Sequence, residues 1–198
     1  MLQKEFSLST EQIGKATSHF TIGFGRLRVE NGVEHITSAG SGTLVTVGSV
    51  HGILTAAHVI DEALPRKGKV GIITSVDESS RLEAFKMEMD HAVPVVVGEQ
   101  RSIELGPDLA FLRLPPESIG WLTAKTSFYN LRKYRDDVLA NKAPGPDHVD
   151  TMTGVIDELT ADAPGSKPGA KKTLFTTIFC GARLAALRYI DEHGLLLL

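Results

Sequence analysis

The chain of 198 residues has little cysteine, no long apolar runs and little net charge. The single cysteine, Cys180, excludes an intramolecular disulfide framework and favours a reducing compartment. The longest apolar runs are short, such as Leu195–Leu198, so we predict no membrane-spanning segment. The net charge of −3, with acidic and basic residues intermixed, argues against a nucleic-acid partner. The polar stretch 1–20 lacks the apolar core of a secretory signal, so we expect a cytoplasmic protein.

Metal and repeat signatures are also missing from the sequence. His, Cys, Asp and Glu occur at no spacing typical of a metal site, and the pattern predicts neither a metal nor a cofactor. Self-similar segments at periods of 20–50 residues are not found, so a solenoid or propeller is not expected. With 42% hydrophobic residues the chain can nevertheless bury a core.

The largest part of the sequence has the pattern of β-strands. From Phe20 onward, runs rich in Val, Ile, Leu and Thr alternate with turn pairs such as Asn31-Gly32, Gly48-Ser49 and Gly106-Pro107. Many short strands separated by turns predict a barrel or a sandwich. The predicted strands cover residues 20–29, 35–47, 51–55, 69–75, 82–88, 92–97 and 109–114.

Helices are predicted at two places. Residues 8–19 have a capping Ser9 or Thr10 and an acidic first turn, which predicts a short N-terminal helix. Residues 116–141 carry leucine and valine at roughly helical spacing among charged residues, which predicts one amphipathic linker helix.

The remaining third contains loops and a few further strands. Pro/Gly-rich stretches at 143–150 and 161–172 predict loops. Strands are predicted at 173–180 and 187–191, with a strand fragment at Leu195–Leu198.

Two polar residues follow or precede apolar strands in a way that suggests chemistry. The stretch Ser41–Ile60 indicates two strands that deliver His58 onto the first turn of a short helix, where Ala56 and Ala57 allow tight packing under the ring. Asp108 precedes the apolar run Leu-Ala-Phe-Leu, where we expect a partly buried carboxylate that needs a partner. Taken singly, His58 is more simply a histidine at a helix N-terminus, and Asp108 a cap on a Gly-Pro turn.

The two contexts together resemble a known family. Thr-Ala-Ala-His-Val behind a Gly-Ser-Gly-Thr-Leu-Val strand, followed later by Asp-Leu-Ala-Phe-Leu-Arg-Leu, resembles the trypsin-like, chymotrypsin-fold serine peptidases, particularly bacterial ones. The resemblance implies an all-β protein, a chymotrypsin-like double β-barrel. Its parts are an N-terminal helical segment 1–19, a complete N-terminal barrel 20–115, a linker helix 116–142 and an incomplete C-terminal barrel 143–198.

The resemblance also implies roles for individual residues. His58 corresponds to the general base that later acts as general acid, and Asp108 to the carboxylate that orients it. Ser41-Gly42 corresponds to the small-residue strand that passes behind the nucleophile loop; a glycine that merely bends a strand is the alternative. The implied partner is a polypeptide substrate or a peptide ligand, and the residue patterns described above predict no nucleic acid, no membrane, no metal and no cofactor.

The nucleophile that this family requires is missing from the sequence. A Gly-x-Ser-Gly-Gly loop does not occur, and the oxyanion hole of the family belongs to the same loop. Ser118 and Ser127 fall in the predicted helix, Ser166 lacks the following Gly-Gly, and Cys180 follows an apolar run typical of a buried core cysteine. Loss of the nucleophile costs on the order of 10⁶ in turnover in comparable triads, so we expect this chain alone to be inactive.

Two hypotheses therefore remain. In the first, the chain is part of a longer serine endopeptidase and stops before its nucleophile loop. In the second, it is a non-catalytic module on a peptidase scaffold that holds an extended peptide by strand addition. We favour the first because the contexts of both His58 and Asp108 are preserved.

Overall fold

Antiparallel β-sheet is the main regular structure in the computed structural model, which describes residues 10–74, 83–97, 108–140, 150–155, 161–162, 171–172 and 175–180. Three α-helices, a π-helical turn and a 3-10 turn accompany the strands. In chain order the elements are α1 (Thr10–Ser18), β1 (Thr21–Glu30), β2 (Val33–Val47), β3 (Val50–Thr55), the π-helical turn (Val59–Ala63), β4 (Lys69–Thr74), β5 (Glu83–Glu88), the 3-10 turn (Met89–His91), β6 (Val93–Val97), β7 (Leu109–Arg113), α2 (Pro116–Lys125), β8 (Tyr129–Asn130), α3 (Leu131–Leu139), β9 (Asp150–Val155), β10 (Ala161–Asp162), β11 (Lys171–Lys172) and β12 (Phe175–Cys180).

The main sheet is curled. Its strand order is β5-β4-β1-β2-β3-β7-β6, with β8 added in parallel to β2. The two edge strands follow each other in the chain, since only four residues separate Glu88 from Val93. In a flat sheet these edges would lie about 29 Å apart, at about 4.8 Å per strand spacing. The chain from Glu88 to Val93 spans at most about 18 Å, so the sheet bends until its edges approach each other.

The core lies on the concave side of this sheet. Side chains on a strand point alternately to its two faces, and residues directly opposite each other on neighbouring strands share a face. Ile53 lies opposite both Leu44 and Leu112, and all three are fully buried. Each such side chain stabilises the fold by about 1.5–3 kcal/mol. The strand residues of this core are Ile22, Phe24, Leu44, Ile53, Val70, Ile72, Met87, Ala110 and Leu112.

The predicted strands between Phe20 and Leu114 are all present, with ends within two residues of the expected positions. The N-terminal helix predicted over 8–19 is present as α1. These elements were predictable because alternation, turn residues and helix caps are local signals.

The single linker helix expected over 116–141 is wrong, because the chain forms two helices, α2 and α3. Thr126 ends α2 in an extended conformation, and its hydroxyl donates a hydrogen bond to the Leu122 carbonyl at 2.6 Å. The chain then adds the short strand β8 to β2, and Asn130 caps α3 by accepting a hydrogen bond from the Lys133 N–H at 3.0 Å. Ser127 consequently lies between α2 and β8 and not in a helix.

The later part of the chain contains two small antiparallel pairs, β9 with β12 and β10 with β11. β12 confirms the strand predicted at 173–180, whereas β9 was not predicted and begins inside the expected loop 143–150. β9 lies beside α1, β1 and β2. The predictions for 187–191 and Leu195–Leu198 fall outside the described residues, as does most of the loop 161–172. None of the described helices has the length and apolar character needed to cross a membrane.

Candidate functional site

His58 stands where β3 ends and a helical turn begins. Ala57 is fully buried, and His58 itself has helical backbone angles (φ −60°, ψ −32°). The following π-helical turn is closed by a hydrogen bond from the Leu64 N–H to the Val59 carbonyl at 3.0 Å. Because Val59 and Ile60 are buried in the core, the turn is anchored while the His58 side chain remains on the surface.

Strand β2 packs against the end of β3 and against this turn. The Thr55 hydroxyl donates a hydrogen bond to the Ser41 carbonyl at 2.7 Å, which ties the end of β3 to β2. Gly40 has φ +133°, and a Cβ there would lie 2.9 Å from Cγ2 of Val59. At Gly42 a Cβ would contact Ile53 and lie 3.0 Å from the Leu54 carbonyl oxygen. The small residues of β2 thus allow its backbone to lie close to β3 and to the turn. That Ser41-Gly42 lies behind a nucleophile loop stays a prediction.

Asp108 is brought to His58 by the pairing of β3 with β7. Thr55 lies opposite Ala110 in this antiparallel ladder, so the residue just before β7 meets the residues just after β3. Oδ1 of Asp108 accepts a hydrogen bond from the His58 backbone N–H at 2.9 Å, and Oδ2 of Asp108 is hydrogen-bonded to Nδ1 of the His58 ring. Asp108 does have the partner that its apolar context predicted, and its side chain is 46% exposed.

These hydrogen bonds determine the charge and the tautomer of the pair. The His58 ring donor, followed by the His58 backbone N–H, lowers the pKa of Asp108 below its ordinary value, and the backbone N–H of Ala57 acts in the same direction. Asp108 is therefore ionised at neutral pH. Because an ionised carboxylate only accepts, Nδ1 of His58 carries the proton and Nε2 of the neutral ring has the free lone pair. With the His58 side chain 59% exposed, such a ring can take a proton from a neighbouring hydroxyl.

The nucleophile candidates considered from the sequence do not join this pair. Ser118 is buried within α2, and the backbone N–H of the exposed Ser127 donates to the His19 carbonyl at 2.8 Å. Cys180 is the last residue of β12, opposite Asp150, while Ser166 lies outside the described residues. In the part of the chain that the structure describes, the His58 ring has neither a serine nor a cysteine as a hydrogen-bond partner.

A second histidine–carboxylate pair was not predicted. Nδ1 of His91, in the 3-10 turn, lies 2.8 Å from Oε1 of Glu117 in α2, and both side chains are exposed. The hydrogen bond to Glu117 raises the pKa of His91, and the same bond lowers the pKa of Glu117. The two residues come from different elements, so no spacing in the sequence indicates their contact. This pair joins α2 to the 3-10 turn, and Trp121 of the same helix stacks on Phe85 of β5.

A metal centre has no basis in the described ranges. Across them, no group of three or more His, Cys, Asp or Glu residues is arranged to hold a metal ion.

Comparisons with protein-family models, with curated proteins and with solved structures found no match to this chain.

Proposed function

We propose that residues 20–115 are the N-terminal barrel of a chymotrypsin-like double barrel, and that His58 and Asp108 belong to the catalytic apparatus of a trypsin-like serine endopeptidase. The observation that carries this proposal is the double contact of Asp108 with the backbone N–H and the ring Nδ1 of His58. A carboxylate that merely caps a turn would satisfy the backbone N–H alone. Binding the ring as well fixes both its orientation and its tautomer.

In the proposed reaction, Nε2 of His58 takes the proton of a serine hydroxyl while the serine oxygen attacks the carbonyl carbon of the peptide bond. The tetrahedral intermediate then collapses, the C–N bond breaks, and His58 returns the proton to the leaving amine. Asp108 stabilises the imidazolium between these two steps without itself being protonated. Water hydrolyses the acyl-enzyme by the same proton transfers in the second half.

The serine and the oxyanion donors have to come from a Gly-x-Ser-Gly-Gly loop, which the 198 residues do not contain. The active form that we propose therefore carries such a loop in addition to these residues. Without it we expect no detectable hydrolysis, because loss of a nucleophile costs on the order of 10⁶ in turnover.

The proposal is tested by reading the coding DNA beyond codon 198 in three forward frames and extending the chain with the frame that encodes such a loop. Hydrolysis of fluorescent casein and labelling by a fluorophosphonate are then measured. We expect His58→Ala to lower kcat by about 10⁴–10⁶-fold. The matched control is His91→Ala, another exposed histidine beside a carboxylate, which should retain activity.

Two outcomes contradict the proposal that the protein is a peptidase. Either no frame encodes the loop, or His58→Ala hydrolyses casein as fast as the parent chain. The non-catalytic binding module, in contrast, predicts that His58→Ala leaves its function unchanged.

A further inference from the structure

The turn that begins after His58 ends against the side chain of Arg26. Nε and Nη2 of Arg26 donate hydrogen bonds to the Ala63 carbonyl at 2.9 and 2.7 Å, and Nη2 also donates to the Glu62 carbonyl at 3.1 Å. Glu62 and Ala63 are the last two residues of the π-helical turn. Arg26 itself belongs to β1 and is partly buried.

Arg26 lies on the same face of β1 as the buried Ile22 and Phe24, because side chains of a strand alternate between its two faces. The register between β1 and β2 shifts at Phe24/Gly25, just before Arg26, so that Gly25 pairs with Ser38 and Phe24 with Gly40. The extra residue is Ala39 of β2, and such a bulge bends the strand that carries it. Gly40, next to this bulge, packs against Val59 at the start of the turn, while Arg26 contacts Ala63 at its end.

The interaction satisfies a general need of helical turns. The last carbonyls of a helix have no partner within it and must be satisfied from outside. A guanidinium does this with several charge-assisted hydrogen bonds in a fixed plane, which a lysine ammonium on a flexible stem does not reproduce. A short turn with Val59 and Ile60 in the core and Arg26 at its end therefore has little freedom to rotate.

We infer that Arg26 is a positioning residue for His58: by holding the Glu62 and Ala63 carbonyls, it fixes the rotation of the turn and keeps the His58 backbone N–H and ring directed at Asp108. The relevance to catalysis rests on the proposed function. The series of contacts from Arg26 through the turn to Asp108 does not depend on the proposed function. It can be measured in the 198-residue chain without any hydrolysis.

The test uses the isotope-labelled 198-residue chain and its variants Arg26→Met and Arg26→Lys. Arg28→Met is the matched control, because Arg28 lies two residues further along the same strand face and is exposed. Two properties are measured by NMR: solvent exchange of the His58 Nδ1 proton, and the pKa of Asp108 from its carboxyl ¹³C shift.

For Arg26→Met we expect at least about tenfold faster exchange of the Nδ1 proton and a pKa of Asp108 closer to its ordinary value of about 3.9. Arg26→Lys should show the same changes to a smaller extent, because lysine retains the charge but not the planar set of donors of the guanidinium. Arg28→Met should match the parent chain in both properties.

A folded Arg26→Met chain with unchanged exchange and unchanged Asp108 pKa overturns the inference, because Arg26 would then only stabilise the fold. If Arg26→Met loses the amide spectrum of the folded sheet, Arg26→Lys decides by the same two readouts, and unchanged values again overturn it. The peptidase proposal fails separately: an extended chain without His58-dependent hydrolysis refutes the reaction but leaves these two readouts intact.

Discussion

Val59 packs directly against the backbone of Gly40, and this contact sets how closely the turn after His58 approaches β2. A Cβ at position 40 would lie 2.9 Å from Cγ2 and 3.0 Å from Cγ1 of Val59, and the backbone there has φ +133°. Position 40 therefore requires glycine for two separate reasons: the positive φ and the lack of space for a Cβ. The close packing makes the position of His58 sensitive to a single methyl group in β2.

The first prediction concerns that methyl group. Gly40→Ala should lower the free energy of unfolding by about 2–5 kcal/mol, because backbone strain of about 1–2 kcal/mol adds to overpacking of about 1–3 kcal/mol. The control is Gly32→Ala in the β1–β2 turn, where φ is +75° but no atom lies within 4 Å of the new Cβ. Urea denaturation should show the larger loss for Gly40→Ala, and equal losses in the two variants would contradict the packing argument.

The second prediction concerns acid stability at Asp108. Its pKa is lowered in the folded state, so its contribution is present above the unfolded-state pKa of about 3.9 and is lost as the pH falls through the folded value. Asp108→Asn has no such proton to bind. Thermal unfolding between pH 7 and pH 2.5 should therefore show a gap between parent and variant that narrows on acidification. A gap that stays constant over this range would show that His58 does not stabilise the ionised carboxylate.

The third prediction uses the pair His91–Glu117, in which the pKa of His91 is raised and that of Glu117 is lowered. The His91 contribution is complete below its unfolded pKa of about 6.5 and is lost as the pH rises through the folded value. The Glu117 contribution is complete above about pH 4.3 and is lost as the pH falls through its folded value. The pair should therefore stabilise the packing of α2 most between about pH 4.3 and 6.5.

Glu117→Gln tests this assignment directly. The pKa of His91, followed by the NMR shift of its ring Cε1 proton, should fall toward about 6.5 in the variant. An unchanged His91 pKa would mean that Asp90 and Glu88, and not Glu117, are responsible for its rise.

The fourth prediction concerns the packing of α2 on β5. The rings of Phe85 and Trp121 are stacked with centroids 4.8 Å apart, and Trp121 is the single tryptophan of the chain. Phe85→Ala should shift the tryptophan emission to the red and destabilise the fold by about 1–3 kcal/mol through lost burial and stacking. Phe20→Ala removes a different ring contact, with Tyr129, and should leave the emission maximum in place. A red shift of equal size in both variants would indicate general loosening and not the loss of this stack.

Within 20–115, local pattern was sufficient to predict the positions of the strands. Alternating apolar residues between turn pairs such as Asn31-Gly32 determine a strand wherever one face is buried, so strand ends were predicted within two residues. The contexts of His58 and Asp108 also predicted that these two residues belong together, and the structure places them in hydrogen-bond contact. Their catalytic role stays a proposal.

Features that depend on contacts between distant segments were not predictable. The helix expected over 116–141 is divided because the backbone of Thr126 is extended and because residues 129–130 pair with β2, a strand far earlier in the chain. The contact between His91 and Glu117 requires α2 to lie beside the 3-10 turn, a placement that neither segment encodes alone.

The amino-acid sequence by itself thus determined where strands form and which two polar residues stand at their ends, because burial on one face and turn conformations are decided over a few residues. Only the tertiary structure decided how the strands are ordered, how the sheet curls, and that Arg26 and Gly40 hold the turn after His58. These depend on close approach between residues tens of positions apart, which is a property of the packed chain and not of any local segment.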